Sequence, residues 1–344
     1  MSDFSSRVIR WQQKHGRHDL PWQGADAYRV WLSEIMLQQT QVATVIPYFQ
    51  HFVASFPDIA ALAAATEERV LALWSGLGYY SRARNLHRSA QLIAQRHEGK
   101  FPHRFDDMLA LPGIGRSTAA AISALVFQQR QAILDGNVKR VLARHLAISG
   151  WTGDKKIEAE LWRHAEARLP EQDIASYTQG MMDLGATLCS RSKPRCAECP
   201  VRDDCAAYRQ GSVAQLPVPR TRRPVPEKHS TFLLLLNGAD ILLEKRPGSG
   251  IWGGLWCPPQ FDDVEEALSY CARQYATEAS QAIEMPKFSH SFTHFKLHIS
   301  PLHVRLEHLP LRAQQANSQW LNVNAALQAA IPAPVRKMLL GLSR

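Results

Sequence analysis

The sequence predicts an all-α N-terminal domain followed by a smaller α/β domain. Three observations support this division of the 344-residue chain. Apolar residues recur at helical spacing throughout residues 1–212. Residues 213–228 are rich in proline and basic side chains, a composition typical of an extended linker. In residues 229–344, several short segments alternate between apolar and polar residues, as half-buried β-strands do.

The individual elements follow from the same patterns. Short loops that contain Gly, Pro or Asp separate the helical segments of the first domain. The predicted helices are Val30–Leu37, Glu67–Trp74, Ser81–Gln95, Thr118–Phe127 and Val138–Ile148. In the second domain, Asn237 and Gly238 between two apolar runs predict a β-hairpin. Its predicted strands are Ser230–Leu236 and Ile241–Lys245, followed by a helix at Asp263–Tyr275 and strands at 295–299 and 304–306.

Composition indicates a globular protein with a polyanionic partner. Hydrophobic residues make up 45% and charged residues 21% of the chain, and the formal net charge is +9. The longest apolar run, Phe232–Leu236, is far too short to span a bilayer. No targeting segment is visible, so we expect a monomeric cytoplasmic protein without membrane association.

Four of the six cysteines fall within seventeen residues, in the order C-x6-C-x2-C-x5-C. They are Cys189, Cys196, Cys199 and Cys205. Pro194 and Pro200 lie in the same segment and favour a loop. Four thiolates without a histidine suit either tetrahedral zinc or an iron–sulfur cluster, and the spacing alone leaves both open. Two disulfides are the less favoured alternative, because the chain is long and carries no secretory signal.

The run LPGIGRST from Leu111 to Thr118 predicts a phosphate-binding hairpin between two helices. Gly113 and Gly115 flank one apolar residue, so the turn can expose backbone N–H groups and allow close approach of a ligand. The next helix begins at about Ser117, and a helix N-terminus adds further donors for an anion. An ordinary helix–turn–helix corner is the simpler alternative, but it leaves the second glycine unexplained.

Together these motifs resemble the endonuclease III superfamily of DNA glycosylases, and within it the MutY-type adenine DNA glycosylases. Besides the hairpin and the cysteines, three segments carry the similarity. They are WLSEIMLQQTQ from Trp31 to Gln41, GLGYYSRARNL from Gly76 to Leu86, and LDGNVKRV from Leu134 to Val141. The resemblance implies a helix–hairpin–helix domain with an iron–sulfur loop at 189–205, and it selects a [4Fe–4S] cluster as the cofactor.

The resemblance also implies two catalytic carboxylates, Glu34 and Asp135. Cleavage of a glycosidic bond needs a proton for the leaving base and a negative group for the sugar cation. Glu34 is the expected general acid and Asp135 the expected stabiliser of the sugar, with Asn137 in support. Read without the resemblance, Glu34 could be a solvated helix residue and Asp135 a simple helix cap.

Ser117 decides the subclass that the resemblance implies. Endonuclease III itself has a lysine nucleophile at this position, which forms a Schiff base and cleaves the strand. A serine hydroxyl cannot form an imine, so a monofunctional glycosylase that only removes the base is expected. Lys139 could trap the abasic aldehyde incidentally, although phosphate binding is its expected role.

The expected substrate is double-stranded DNA that carries adenine opposite 8-oxoguanine or guanine. An enzyme that acts on a base extrudes it from the stack, which is cheapest at a mismatch. The resemblance places DNA contacts at Gln39, Thr40, Leu77 and Tyr79, in addition to the hairpin. Arg82, Arg84 and Lys139 are the expected phosphate contacts. The expected setting is a bacterial-type cytoplasm, in association with the nucleoid.

The C-terminal domain resembles the MutT-like, Nudix-fold domain that recognises 8-oxoguanine in the MutY family. It lacks the metal-binding Arg-Glu-x-x-Glu-Glu core of active Nudix hydrolases, so pyrophosphate hydrolysis is not expected. The recognition loop of the family is Phe-Ser-His, and it corresponds to Phe292, Thr293 and His294. Two other functions are considered: a bifunctional pyrimidine glycosylase with lyase activity, and a DNA-binding protein without catalysis. Ser117 opposes the first, and the pair of carboxylates opposes the second.

Overall fold

The structure, a computed structural model, describes residues 3–221, 224–275, 282–307 and 317–342. It comprises two compact units. The helical unit contains residues 1–64 and 85–222, and the sheet unit contains residues 65–84 and 223–344. By packing, residues 65–84 therefore belong to the second unit, although the sequence assigns them to the first domain. The boundaries at 212 and 229 stay a prediction about domains in the sequence.

The predicted helices are present, with ends that differ by a few residues. In chain order the helices of the first 212 residues are α1 (Asp3–His15), α2 (Ala27–Leu37), α3 (Val42–Ser55), α4 (Ile59–Ala64), α5 (Glu67–Trp74), α6 (Ser81–Arg96), α7 (Phe105–Leu109), α8 (Arg116–Phe127), α9 (Gly136–His145), α10 (Lys155–Ala167), α11 (Ile174–Asp183) and α12 (Ala206–Arg209). Helix α5 lies in the sheet unit. The first four residues of α6 belong to the sheet unit, and the rest of α6 belongs to the helical unit.

Helix α8 forms the middle of the helical unit. It packs against α2, α7 and α11. Its buried face consists largely of small side chains, which let neighbouring helices approach closely. The buried alanines are Ala119, Ala120, Ala121 and Ala124. A second core lies around α9, where Val138, Val141 and Leu142 are almost completely buried against α11 and the turn that follows it.

The sheet unit contains a mixed sheet. Its elements are β1 (Glu227–Asn237), β2 (Asp240–Lys245), β3 (Trp256–Cys257), β4 (Gln260–Phe261), α13 (Val264–Tyr275), β5 (Ala282–Glu284), β6 (Phe288–Ser291), β7 (Lys296–Leu306), β8 (Ser318–Asn322), α14 (Val323–Ala326) and α15 (Ala333–Leu342). The strand order along the main path is β3-β2-β1-β7-β5. Strands β1 and β7 pair in parallel over their whole length. The continuous apolar run Phe232–Leu236 lies in β1. It is buried, as expected for a strand in a parallel pair, because such pairs are usually covered on both faces.

The hairpin predicted at Asn237 and Gly238 is confirmed by the antiparallel pairing of β1 with β2. The two strands predicted at 295–299 and 304–306 form one continuous strand, β7. Pro301 lies in the middle of β7, although proline is rare inside strands because it has no N–H to donate to a neighbouring strand. No helix within the described ranges is long and apolar enough to cross a bilayer.

Candidate active site

Two carboxylates from distant parts of the sequence line one cavity in the helical unit. Glu34 lies near the end of α2, and Asp135 immediately precedes α9. The cavity has a volume of about 610 Å³, and Ser117 and Asn137 also line it. The four residues predicted to serve catalysis therefore lie together, although about one hundred residues separate the two carboxylates in the sequence.

The packing of α2 on α8 brings Glu34 and Ser117 to the same cavity. The Ser117 hydroxyl accepts a hydrogen bond of 3.1 Å from the backbone N–H of Leu134, the residue before Asp135. This bond joins the first turn of α8 to the segment that carries the second carboxylate. The Ser117 hydroxyl offers no amine for an imine.

Glu34 has an apolar environment. Its neighbours Trp31 and Ile35 on α2 are buried. Among the described residues, no hydrogen bond to the Glu34 carboxyl is present. Burial, followed by the nearby charge of Asp135, raises the pKa of Glu34 from its ordinary value of 4.5 to about 8. Glu34 therefore carries its proton near neutral pH, as a general acid must.

Asp135 has a different environment, although burial raises its pKa as well. Its Oδ1 accepts a hydrogen bond of 2.8 Å from the Val138 backbone, so Asp135 also caps α9. Its Oδ2 accepts a 3.3 Å bond from the Asn137 amide. Both bonds, together with the positive charge of Arg140, lower the pKa of Asp135 against the effect of burial. These contacts oppose the effect of burial at Asp135, whereas burial and a like charge act together at Glu34.

Arg140 connects Asp135 to the cysteine segment. Its Nη2 donates to the Asn137 Oδ1 at 2.8 Å and to the Gly185 carbonyl at 2.7 Å. Its Nε donates to the Cys189 carbonyl at 2.7 Å. The amide of Asn137 is thereby oriented with its NH₂ group towards Asp135. Sequence reasoning missed this residue, because an arginine one turn after a helix start is usually a solvated side chain.

A second cavity also borders Glu34. Its volume is about 450 Å³, and it shares Glu34 and Arg17 with the first cavity. Arg17, which borders both cavities, is held in place by the buried Asp183. The Asp183 carboxylate accepts hydrogen bonds from the Arg17 Nε at 2.7 Å and from the Gln179 amide at 2.9 Å. Trp22 contributes an aromatic face. The sequence carries one unused signal, namely Asp183, the single charged residue of α11.

The predicted hairpin adopts a conformation that requires glycine at position 113. Gly113 has a φ of +81°, and a Cβ atom there would lie 2.9 Å from the Cβ of Asn85. Gly115 precedes α8, and the space beside its Cα is open, so a ligand can approach the backbone. The side chain of Ile114, between the glycines, is buried. The conformation is compatible with the predicted phosphate contact, which stays a prediction.

The segment 76–80 in the sheet unit presents one predicted DNA contact and buries another. The Tyr79 ring is 45% exposed and its φ is +49°, so the backbone turns this side chain outwards. Leu77 is only 6% exposed. Arg82 is buried, donates to the Gly78 carbonyl at 3.1 Å and stacks on Trp74 and Tyr79. Burial lowers the pKa of Arg82 to about 10. In this structure Arg82 therefore organises the loop that holds Tyr79.

The remaining predicted DNA contacts lie on the helical unit. Gln39 is exposed and has a φ of +60°, while Thr40 lines the 610 Å³ cavity. Lys139 forms an ion pair with Glu158, with 2.7 Å between Nζ and Oε1. The Lys139 amine is thus engaged on α10. A phosphate contact by Lys139 would have to replace this pair.

The four clustered cysteines line one cavity and are not joined by disulfides. Arg144, Arg195 and Arg202 line the same cavity. Arg144 is buried and holds the loop through hydrogen bonds to the carbonyls of Ser190 and Arg191, at 2.7 and 3.1 Å. Across the described residues, no three Cys, His, Asp or Glu side chains converge on a single-ion site. Four sulfur donors around a cavity bordered by positive side chains fit an anionic iron–sulfur cluster.

The predicted recognition loop borders a cavity of about 550 Å³ in the sheet unit. Thr293 and His294 are exposed at its rim, and Phe292 stacks on Phe295 with 4.4 Å between ring centroids. Tyr79 lines the same cavity. Two loops that are far apart in sequence, 76–80 and 290–294, therefore face one space.

Comparison with known proteins agrees with both units. Residues 32–167 match the family described as HhH-GPD superfamily base excision DNA repair protein, and residues 231–341 match the NUDIX domain family. Among solved structures, a thermostable thymine-DNA glycosylase is similar to 60% of this chain and 95% of its own, with a TM-score of 0.54 and 25% identity. An endonuclease III–DNA complex, at 19% identity and a TM-score of 0.52, shares the fold.

Curated relatives match over nearly the whole chain. The adenine DNA glycosylase of Buchnera aphidicola subsp. Acyrthosiphon pisum is 41% identical over 98% of this chain and 96% of its own length. The mouse adenine DNA glycosylase is 31% identical over 97% of this chain and 77% of its own. The similarity therefore covers both units together.

Proposed function

The chain belongs to the adenine DNA glycosylase family, and we propose that it removes adenine from A:8-oxoguanine and A:G mispairs with Glu34 and Asp135 as the catalytic pair. The predicted family, enzyme class and fold classes are confirmed by the relatives and the domain matches. The chain is a monofunctional DNA glycosylase of base excision repair, as the expectation from Ser117 states. One observation carries the residue assignment: the two carboxyls line one cavity, and hydrogen bonds and a positive charge favour the ionised form of Asp135, whereas burial and a like charge favour the protonated form of Glu34.

In the proposed reaction, the extruded adenine enters the 450 Å³ cavity between Trp22 and the Arg17–Asp183 wall. Glu34 borders this cavity and donates its proton to N7 of the leaving base. The sugar, with its developing positive charge, lies in the 610 Å³ cavity, which Glu34 also borders, beside ionised Asp135. A water molecule adds its hydroxyl to the anomeric carbon, and the proton that it releases restores the acid form of Glu34. Free adenine and an abasic site result.

Asn137 and Ser117 have supporting roles in this proposal. Asn137 donates to the carboxylate oxygen of Asp135 and is itself oriented by Arg140. Ser117 fixes the chain at Leu134, so the carboxylate cannot swing away from the sugar. Each contributes by orientation, because neither supplies a proton or a nucleophile to the bond that breaks.

We further propose that the four cysteines hold a [4Fe–4S] cluster. The support is the set of four sulfur donors around one cavity and the arginines beside it. Bound there, the cluster would stabilise the loop and its basic surface and would take no part in the glycosidic cleavage.

The proposed DNA contacts are Gln39, Thr40, Tyr79, Gly113 and Gly115. Leu77 and Lys139 remain candidates that require local rearrangement. The cytoplasm and the monomeric state stay predictions.

The 8-oxoguanine partner is proposed to be read by Phe292, Thr293 and His294 together with Tyr79. The support is their common cavity in the sheet unit. Thr293 retains the hydroxyl of the family's serine and adds a methyl group, so discrimination by a hydrogen bond is still available.

A strand-scission assay tests the proposed function. Duplexes with A:8-oxoguanine, A:G or an oxidised pyrimidine are incubated with the enzyme and are then divided into samples with and without hot alkali. We expect breaks at adenine only after alkali, and no reaction of the Glu34→Gln variant with retained DNA binding. The exposed Glu98→Gln variant serves as the matched control. Scission at the pyrimidine without alkali, or normal turnover by Glu34→Gln, would refute the proposal.

A further inference from the structure

Trp252 adopts a backbone conformation that its side chain normally disfavours. Its φ is +56°, in the left-handed region where glycine, Asn and Asp are usually found. The residue is nevertheless only 6% exposed. A bulky aromatic residue held in this region is a sign that the surrounding structure imposes the conformation, and such positions concentrate at functional sites.

The turn places the Trp252 indole beneath the predicted recognition loop. The ring centroid lies 5.5 Å from that of Phe292 and 5.9 Å from that of His290. The indole also contacts Phe232 of β1, at 6.2 Å between ring centroids in an edge-to-face arrangement. The indole is thus a bridge between the core of the sheet unit and the loop 290–294.

The same turn is attached to the loop that carries Tyr79. The Arg84 Nη1 donates a hydrogen bond of 2.6 Å to the carbonyl of Gly253, the residue after Trp252. Arg84 lies in the first turn of α6, directly after the segment 76–80. The turn is also tightly packed, because a Cβ atom on Gly253 would lie 2.5 Å from the Gly248 carbonyl oxygen. The turn therefore has no room for a side chain at Gly253.

Two further contacts hold the Tyr79 segment to the sheet unit. The Ser75 hydroxyl donates to the Ile331 carbonyl at 2.5 Å, just before α15. The Trp256 indole N–H donates to Glu68 of α5 at 2.7 Å. The segment 65–84 is thus held at two points, and its Tyr79 lines the 550 Å³ cavity together with Phe292, Thr293 and His294.

From these contacts we propose that Arg84 and Trp252 are positioning residues for recognition of the base opposite adenine. The Arg84–Gly253 hydrogen bond holds the strained turn, and Trp252 then fixes the recognition loop relative to Tyr79. The two loops therefore act as one preformed site for an oxidised purine. This inference rests on the proposed function of the recognition loop and adds the residues that make its geometry rigid.

The test compares DNA affinity for two duplexes that differ only in the base opposite adenine. The variants are Arg84→Met, which keeps the length of the side chain and removes the hydrogen bond, and Trp252→Gly, which tolerates the backbone angle and removes the ring. We expect the preference for A:8-oxoguanine over A:G to fall about 10-fold in each. The double variant should lose no more than either single variant, because both act on one turn. The exposed Arg88→Met on the same helix is the matched control and should keep the preference.

The outcomes separate the alternatives. An equal loss of affinity for both duplexes would make Arg84 a phosphate contact and overturn the proposal. An unchanged preference in both variants would also overturn it, and Arg84→Met alone suffices if Trp252→Gly does not fold. If the wild-type enzyme itself shows no preference for A:8-oxoguanine over A:G, the proposed recognition of 8-oxoguanine is refuted. A wild-type preference that the variants leave intact refutes only the positioning role.

Discussion

Replacement of Glu34 by glutamine is expected to stabilise the folded protein while it abolishes catalysis. The unfolded Glu34 is ionised above its ordinary pKa of 4.5, whereas the folded residue stays protonated up to about pH 8. Folding at neutral pH must therefore take up a proton, and the stability contributed by this group falls as the pH rises from 4.5 towards 8. Glutamine is neutral in both states and avoids this cost.

The magnitude follows from the pKa. About 2.5 pH units separate pH 7 from the ordinary pKa, and each unit corresponds to about 1.4 kcal/mol, so the upper limit is about 3.5 kcal/mol. Because the Glu34 side chain is partly exposed in the cavity wall, we expect about 2 kcal/mol. At pH 5 the same reasoning leaves less than about 1 kcal/mol.

Urea denaturation at pH 5 and pH 7 measures this difference. The free energy of unfolding of Glu34→Gln should exceed that of the wild type at pH 7, and the excess should shrink at pH 5. Glu98→Gln, at an exposed position, should show no excess at either pH. A Glu34→Gln variant that is less stable than the wild type, or a gain that does not depend on pH, would refute the reasoning.

Three other substitutions test separate parts of the structure. Arg140→Met removes the hydrogen bond that orients Asn137 towards Asp135, so single-turnover adenine excision should fall about 10-fold or more, with DNA affinity nearly retained. Gly113→Ala places a Cβ atom in a filled space and on a φ of +81°, so thermal denaturation should show a loss of about 1–3 kcal/mol and DNA binding should weaken. Cys199→Ser removes one of the four proposed cluster ligands, so the iron content and the visible absorbance of the purified protein should drop, whereas Cys271→Ser should leave both unchanged.

Much of the fold was predictable because local patterns determine it. The helical period of α5, the Asn237–Gly238 turn and the Gly113 hairpin each depend on a few neighbouring residues. The packing of residues 65–84 in the sheet unit was not predictable. It depends on single long-range contacts, such as the bond from Trp256 to Glu68, which leave no periodic trace in the sequence.

The active site was likewise predictable only in part. Glu34 and Asp135 were found through the segments that resemble the family, and their common cavity agrees with that assignment. Arg17 and Arg140 were missed, because their roles arise only when α11 and α9 fold beside the carboxylates. Arg82 shows the opposite case: a basic residue in a DNA-binding motif is buried and organises the loop.

The pH dependence of adenine excision tests the central claim most directly, namely that protonated Glu34 and ionised Asp135 act together. Single-turnover rates on an A:8-oxoguanine duplex would be measured between pH 6 and pH 10, with the enzyme in saturating excess over the DNA. The rate should fall as the pH rises through about 8, the pKa of Glu34, because the general acid loses its proton. A rate that stays constant or rises across this range would contradict the assignment of Glu34 as the acid.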